Sequence, residues 1–396
     1  MKNIFVVILI ILLPAILFGQ SDKPSKWQVQ GYLKYLNAST FIPAESSPLP
    51  IVGSKKFLLN DNLLHNRLKF KYFANEQLTF HAELRNRVFW GDQVRFTLLS
   101  DGDFIENINL GSDGFFDWSA GHQNSSGYAL HTTLDRFYAE WSSENWELRL
   151  GRQRINWGIG TIWNPNDIFN AYNFTDFDYE ERPGSDALRV KRYLGFASSI
   201  EIAVNAFRKK EEAVGAVKAN FHSGTYDWQV LAGVVEEHLS LGGGWAGNVG
   251  NASFKGEAAA FFPLTDSLKT SYALSLGVDY TFDNQLYINS GILYNSNGTT
   301  SGGGDLFTFQ LSARNLYPYK YSILTQLGYP ITPLLNSAFI VVYSPGNANA
   351  LFLNPVLSYS LSQNWDLDLV GQLFFSKGEK YRSAVDAGFV RIKWSF

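Results

Sequence analysis

The chain has no cysteine, so a disulfide framework, a cysteine-ligated metal and a lipid-modified cysteine are all excluded. Its single methionine is the first residue. After residue 20 no stretch approaches the roughly 18 unbroken apolar residues that a membrane helix needs. Helix-period patterns are almost absent. A net charge of −3 leaves no bulk attraction for nucleic acid. Signatures of catalysis are missing too. His65, His81, His122, His131, His222 and His238 show no HExxH or i,i+4 ligand spacing, and there is no GxSxG elbow, P-loop or dinucleotide glycine fingerprint. No catalytic residue, cofactor or metal is expected, and nucleic acid is not an expected partner.

What the chain does have is aromatic residues, at 16%, and 34 glycines. Tyr, Phe and Trp favour strands, while glycine serves turns and close approaches. Residues 1–20 have the layout of a cleaved signal peptide: Lys2, an apolar run over residues 4–18, then Gly19 and Gln20. The remainder, 21–396, reads as one unit without internal repeats.

Period-two alternation recurs along it. In LTFHAELRNRV, Leu78, Phe80, Ala82, Leu84 and Val88 oppose Thr79, His81, Glu83, Arg85 and Arg87. The same reading fits WQVQGYLKY, LHNRLKFKY, IEIAVNAF, YALSLGVDYTF and WDLDLVGQLFF. A soluble sandwich buries the apolar side in its core; a transmembrane barrel turns that side to lipid and lines a lumen with the other. Soluble strands average about 5–6 residues, whereas tilted membrane strands need about 9–11. Most segments here have the longer length, and aromatics such as Trp27, Tyr72, Trp146 and Trp365 mark their ends as interfacial girdles do.

Connectors alternate as well. Tight ones at 74–77, 143–145, 222–225, 283–284, 330–333 and 362–364 are interleaved with longer ones at 37–63, 90–133, 151–185, 295–320 and 376–386. The expectation is an all-β, antiparallel, up-and-down transmembrane barrel of about eighteen strands. Sixteen is the alternative, because 213–221, 238–248 and 251–262 are weak, Gly/Ala-rich strands. No pattern marks an oligomer face, and no plug segment is apparent before the first strand.

A closed barrel pairs its last strand with its first, here residues 387–396 with 27–36, and leaves no edge. The last strand, with Val390, Ile392, Trp394 and Phe396 at alternate positions, resembles the carboxy-terminal signature of Gram-negative outer-membrane barrels. That resemblance implies recognition by the barrel-assembly machinery and residence in outer-membrane lipid. A second resemblance lies in RLGRQ, a tryptophan-containing loop, and DALR: Leu150, Gly151, Arg152 and Gln153, then Trp157 or Trp163, then Asp186, Ala187, Leu188 and Arg189. This run is similar to porin-like and alginate-export outer-membrane proteins over about forty residues. In general porins the third external loop folds into the lumen and narrows it, which implies the same for 151–185.

The alternation points Arg67, Lys69, Lys71, Arg85, Arg87, Arg136, Arg149, Arg189 and Lys191 inward, opposed by Glu83, Glu140 and Glu147. Arg152 and Arg154 open the long loop, and Asp176, Asp178, Glu180 and Glu181 follow within it. Two readings stand side by side. A basic wall facing an acidic loop would set a transverse field that selects solutes, anionic ones included. Alternatively, the arginines neutralise the loop and hold it. The implied function is passive or facilitated diffusion of small hydrophilic solutes. The alternative is a loop-plugged barrel for surface-polysaccharide export, assembly or binding.

Overall fold

A computed structural model describes residues 25–43, 56–100, 102–109, 114–171, 178, 183–301, 309, 311–377 and 381–396. The signal-peptide reading, 1–20, lies outside them.

Strands run in chain order as β1 (Trp27–Pro43), β2 (Lys56–Phe73), β3 (Leu78–Gly91), β4 (Ser119–Asn124), β5 (Tyr128–Ser142), β6 (Trp146–Gln153) and β7 (Ser185–Tyr193). They continue as β8 (Ser199–Asn205), β9 (Val214–Ser223), β10 (Tyr226–Val235), β11 (His238–Val249), β12 (Ala252–Pro263) and β13 (Ser271–Thr281). The rest are β14 (Tyr287–Asn295), β15 (Tyr321–Pro330), β16 (Leu335–Ser344), β17 (Ala350–Ser362), β18 (Trp365–Lys377) and β19 (Tyr381–Ser395). All pairings are antiparallel between ring neighbours, and β19 closes on β1, giving an 18-strand barrel. The three Gly/Ala-rich segments are strands β9, β11 and β12, so the sixteen-strand alternative falls away.

Among the described residues, β4 is the one strand outside the ring. It pairs with the Tyr128–Thr133 half of β5, above the place where the short β6 stops pairing with that strand. Helices α1 (Asp92–Leu99) and α2 (Phe104–Asn109) precede it in the same connector. Val94, Phe104 and Ala129 form their small core, with Phe89, Leu98, Ile105 and Ile108 against it. Thus the described residues between β3 and β5 form a folded cap. β1 and β2 also run further than expected, as do β18 and β19, which shortens the connectors expected at 37–63 and 376–386.

The closing seam is offset from the expected segments. Leu36 faces Arg391 and Thr40 faces Ala387, while Gly31 and Phe396 exchange both backbone hydrogen bonds at 2.9 Å. A barrel closes only with a stagger between its first and last strands. Trp27–Gln30 therefore pair with β2 below the seam.

Polarity is inverted relative to a soluble fold. Leu150, Leu188, Ile202, Val230, Ile292, Ile323 and Leu369 are exposed on the outside. Lys34, Arg67, Arg85, Asp135, Arg136, Glu201, Lys218 and Glu257 are buried within. A wet exterior would leave that apolar belt unexplained; a lipid exterior accounts for it. Among the described residues no helix is long and apolar enough to cross a membrane.

Candidate functional site: the lumen and its inserted loop

The connector between β6 and β7 turns into the barrel, and the LGRQ and DALR runs form its neck. They are cross-strand partners: Leu150 faces Leu188, Gly151 faces Ala187, Arg152 faces Asp186 and Gln153 faces Ser185. Arg152 grips Asp186 with two hydrogen bonds, at 2.8 and 2.7 Å, and donates a third at 2.6 Å to the Phe116 carbonyl in the cap. The Gln153 amide donates to the Ala187 carbonyl at 3.0 Å. Gly151 has φ +120°, and a Cβ there would sit 2.3 Å from the Phe137 carbonyl oxygen. Only glycine fits such a turn at such a contact. The motif is a clamp that fixes where the loop leaves the wall.

Past the neck, the loop body (155–170) lies against β8–β12. The Glu257 carboxylate of β12 accepts three backbone N–H groups from it: Ile159, Gly160 at 2.6 Å and Asn166 at 3.0 Å. The indole N–H of Trp157 donates to Glu201 of β8, and Gln229 of β10 donates to the Trp157 carbonyl at 2.9 Å. Asn166 reaches the Gly243 carbonyl of β11 at 2.9 Å. A loop buried in a barrel must satisfy its backbone groups somewhere, and wall side chains do so here.

Apolar packing follows the same layout. Ile155, Trp157 and Ile168 sit on Ala187, Ala203, Ala216, Ala259 and Leu231. Trp163 sits with Ala273, Leu293, Tyr317, Leu324 and Phe352 further round. The wall is lined by small residues where the loop rests. At Gly242 a Cβ would come 2.3 Å from the Asn166 side-chain oxygen.

The loop tip crosses towards the opposite wall. Asp178 forms an ion pair with Lys34 of β1 at 2.8 Å, and the Lys34 ammonium also donates to the Asp178 carbonyl at 2.7 Å. His65 of β2 lies 3.7 Å and Arg391 of β19 3.9 Å from the carboxylate. Burial alone would raise the Asp178 pKa; His65 and the Lys34 charge outweigh it and hold the carboxyl below its ordinary range. Asp176, Glu180 and Glu181 lie outside the described residues. Arg154, just past β6, is exposed.

Most of the inward arginines are met by carboxylates on the same wall. Arg67 pairs with Glu83 and Asp135, both at 2.7 Å, and Arg85 with Asp135 at 3.2 Å. Arg149 joins Glu140 at 2.8 Å and Glu147 at 3.1 Å. Arg189 joins Glu147 at 2.8 Å and Glu201 at 2.7 Å. Arg87 donates to Nδ1 of His131 at 2.9 Å and lies over the Phe89 ring. Asp135 escaped the period-two count because a bulge between β3 and β5 puts it and Arg136 on the same, buried side. Beside the seam, Arg391 of β19 donates to Asp368 of β18 at 2.9 Å.

Above the loop, towards its long-connector end, the lumen opens into a cavity of about 580 Å³. Arg85, Arg87 and Arg152 line it on one side and Glu211, Glu212 and Glu236 on another, with Ile168 and Phe169 of the loop below.

No protein-family model matches the sequence, and no curated protein matches it. Solved structures do resemble the fold. The outer membrane protein OpdK of Pseudomonas aeruginosa aligns over 93% of this chain and 98% of its own, with TM-score 0.57 and 9% identity. OccK9 (OpdG) of the same organism gives 0.57 and 10%, over 93% and 98%. OccK11 (OpdR), also from that organism, gives 0.55 and 10%, over 93% and 96%. At such identity the likeness is one of fold.

Proposed function

We propose that this protein is a porin-like channel of a bacterial outer membrane, passing small hydrophilic solutes by passive or facilitated diffusion, and that it is not an enzyme. One observation carries the reading: a closed ring of strands has an apolar belt outside and a charged, hydrogen-bonded lining inside. A ring of eighteen strands is wide enough for an aqueous lumen, and an inserted loop narrows it. The signal-peptide layout and the β19 pattern of Val390, Ile392, Trp394 and Phe396 support export and insertion by the barrel-assembly machinery.

Solutes would enter the cavity above the loop and meet Arg85 and Arg87. Asp178, with Asp176, Glu180 and Glu181 beside it in sequence, would bound the passage on the seam side. Arg149, Arg152 and Arg189, held in ion pairs, would shape the wall and its field, with Arg154 at the loop's start. Because wall carboxylates already neutralise most of the guanidinium charge, preference for anions should be weak.

Liposome swelling tests this. Vesicles containing the folded protein should swell in small sugars and amino acids, more slowly as solute size rises, with modest discrimination by sign. Replacing Arg85 and Arg87 by alanine should shift what discrimination there is towards cations. Vesicles that stay inert with folded protein present would contradict a channel. The tight seating of the loop body favours the plugged, polysaccharide-handling barrel as second reading, and inert vesicles together with bound surface glycan would select it.

A further inference from the structure

The wall is low from β6 to β8, of 8, 9 and 7 residues, and the chain between β8 and β9 divides its charges. Outward from β8 point Ile200, Ile202 and Val204, all exposed. Phe207 follows, also exposed, then Arg208, Lys209 and Lys210, each exposed and none of them lining the lumenal cavity. The next two residues, Glu211 and Glu212, turn to the lumenal cavity. The loop is built to keep this division. Asn205 accepts from the Val214 N–H at 2.7 Å and donates to the Glu212 carbonyl at 2.9 Å, and the Glu212 carboxylate accepts the Arg208 N–H at 3.1 Å.

The cap supplies the other half. Arg208 Nε donates to the Phe115 carbonyl at 2.9 Å, which brings Phe115 and Phe116 to the same rim, and both rings are exposed. The carboxylate of Asp117 on that rim accepts from Ser119 at 2.6 and 3.0 Å. Height fixes what this cluster faces. From Ser199 to Phe207 the chain climbs about 26 Å at ~3.3 Å per residue, or roughly 20 Å vertically at a strand tilt near 40°. That is most of an apolar band about 25 Å tall, so the three cations follow the apolar column of β8 near the band's outer edge.

We propose that Arg208, Lys209 and Lys210, framed by Phe115, Phe116 and Phe207, bind the phosphate of a phosphorylated glycolipid in the outer leaflet, its acyl chains lying along Ile200, Ile202 and Val204. Cations at headgroup level attract lipid phosphate, aromatic rings settle at the interface, and the apolar column separates a lipid from free phosphate. The inference rests on the outer-membrane placement proposed above and not on channel activity.

The test uses the full chain folded in detergent, titrated with bisphosphorylated lipid A or its dephosphorylated form and read by native mass spectrometry. The phosphorylated lipid should bind at least tenfold tighter. The double variant Lys209→Glu, Lys210→Glu should lose that preference, while Lys269→Glu, on the connector after β12, should keep it. Equal binding of the two lipids, or a preference that survives in the double variant, would overturn the proposal. Displacement of the lipid by equimolar inorganic phosphate would overturn its assignment to a lipid. Swelling assays on the same variants separate this outcome from a failure of the channel reading, since Lys209 and Lys210 do not line the lumenal cavity.

Discussion

The inserted loop is held in two different ways at its two ends. Its body is bound through its backbone: the Glu257 carboxylate gathers three N–H groups, Gln229 and Asn166 add further hydrogen bonds, and Trp157 and Ile168 fill space left by alanines. At its tip, among the described residues, the Asp178 carboxylate sits among Lys34, His65 and Arg391, and the Asp178 carbonyl accepts from Lys34. Backbone groups orphaned inside a protein are costly in any salt, whereas the Lys34–Asp178 ion pair, with side chains 0% and 15% exposed, meets water only through Asp178 and is screened in part. The body should therefore act as part of the wall and the tip as the adjustable edge of the passage.

Removing the centre of the body contacts should have the largest effect. Glu257→Ala leaves three N–H groups unpaired, at about 1–3 kcal/mol each before relaxation. Amide exchange at Ile159, Gly160 and Asn166 should then accelerate about a hundredfold or more; unchanged protection would mean that the carboxylate does not hold the body. Gly242→Val comes next. Its added carbons run into Asn166, and overpacking of this kind costs about 1–3 kcal/mol, visible as faster exchange at Asn166 with the tip unaffected. An exchange rate at Asn166 equal to that of the unaltered protein would show that glycine at 242 makes no room for the loop.

The tip should respond more weakly. A double-mutant cycle between Lys34→Ala and Asp178→Asn should give a coupling of about 1–2 kcal/mol that shrinks only in part in 1 M salt. A coupling that ignored salt would put the tip in the same class as the body. The smallest effect concerns pH. Because the Asp178 pKa is held below its ordinary range, its stabilising contribution is complete above the unfolded value of about 3.9 and disappears only as pH falls through the lower folded value. Loop-dependent conductance noise should thus be flat from pH 8 to 5 and rise only in stronger acid. A rise between pH 7 and 5 would show that another group controls the tip.

The barrel was readable in the sequence because lipid and lumen impose opposite polarities on alternate residues, and because turns at one end are short. β9, β11 and β12 were hardest to read for a reason that the structure supplies: their inward positions, Ala216, Gly242 and Ala259, are small to receive the loop, so the alternation is muted. The elements of the cap are not legible in the sequence because α1, α2 and β4 are too short to show a period. Of the site, the neck was legible as LGRQ and DALR, and the inward arginines as a parity. What parity could not show was the counter-charge. Asp135 sits at a bulge, and Glu201 and Glu257 bind loop groups more than forty residues earlier in the chain. Lys34 and Asp178 meet across 144 residues, a contact that only barrel closure creates.

The claim beneath all of this is that water fills the space the strands enclose. Folded protein added to a planar lipid bilayer should produce discrete current steps at fixed voltage, with steps and noise altered by Asp178→Asn. Bilayers that remain silent after verified insertion of folded protein would contradict it.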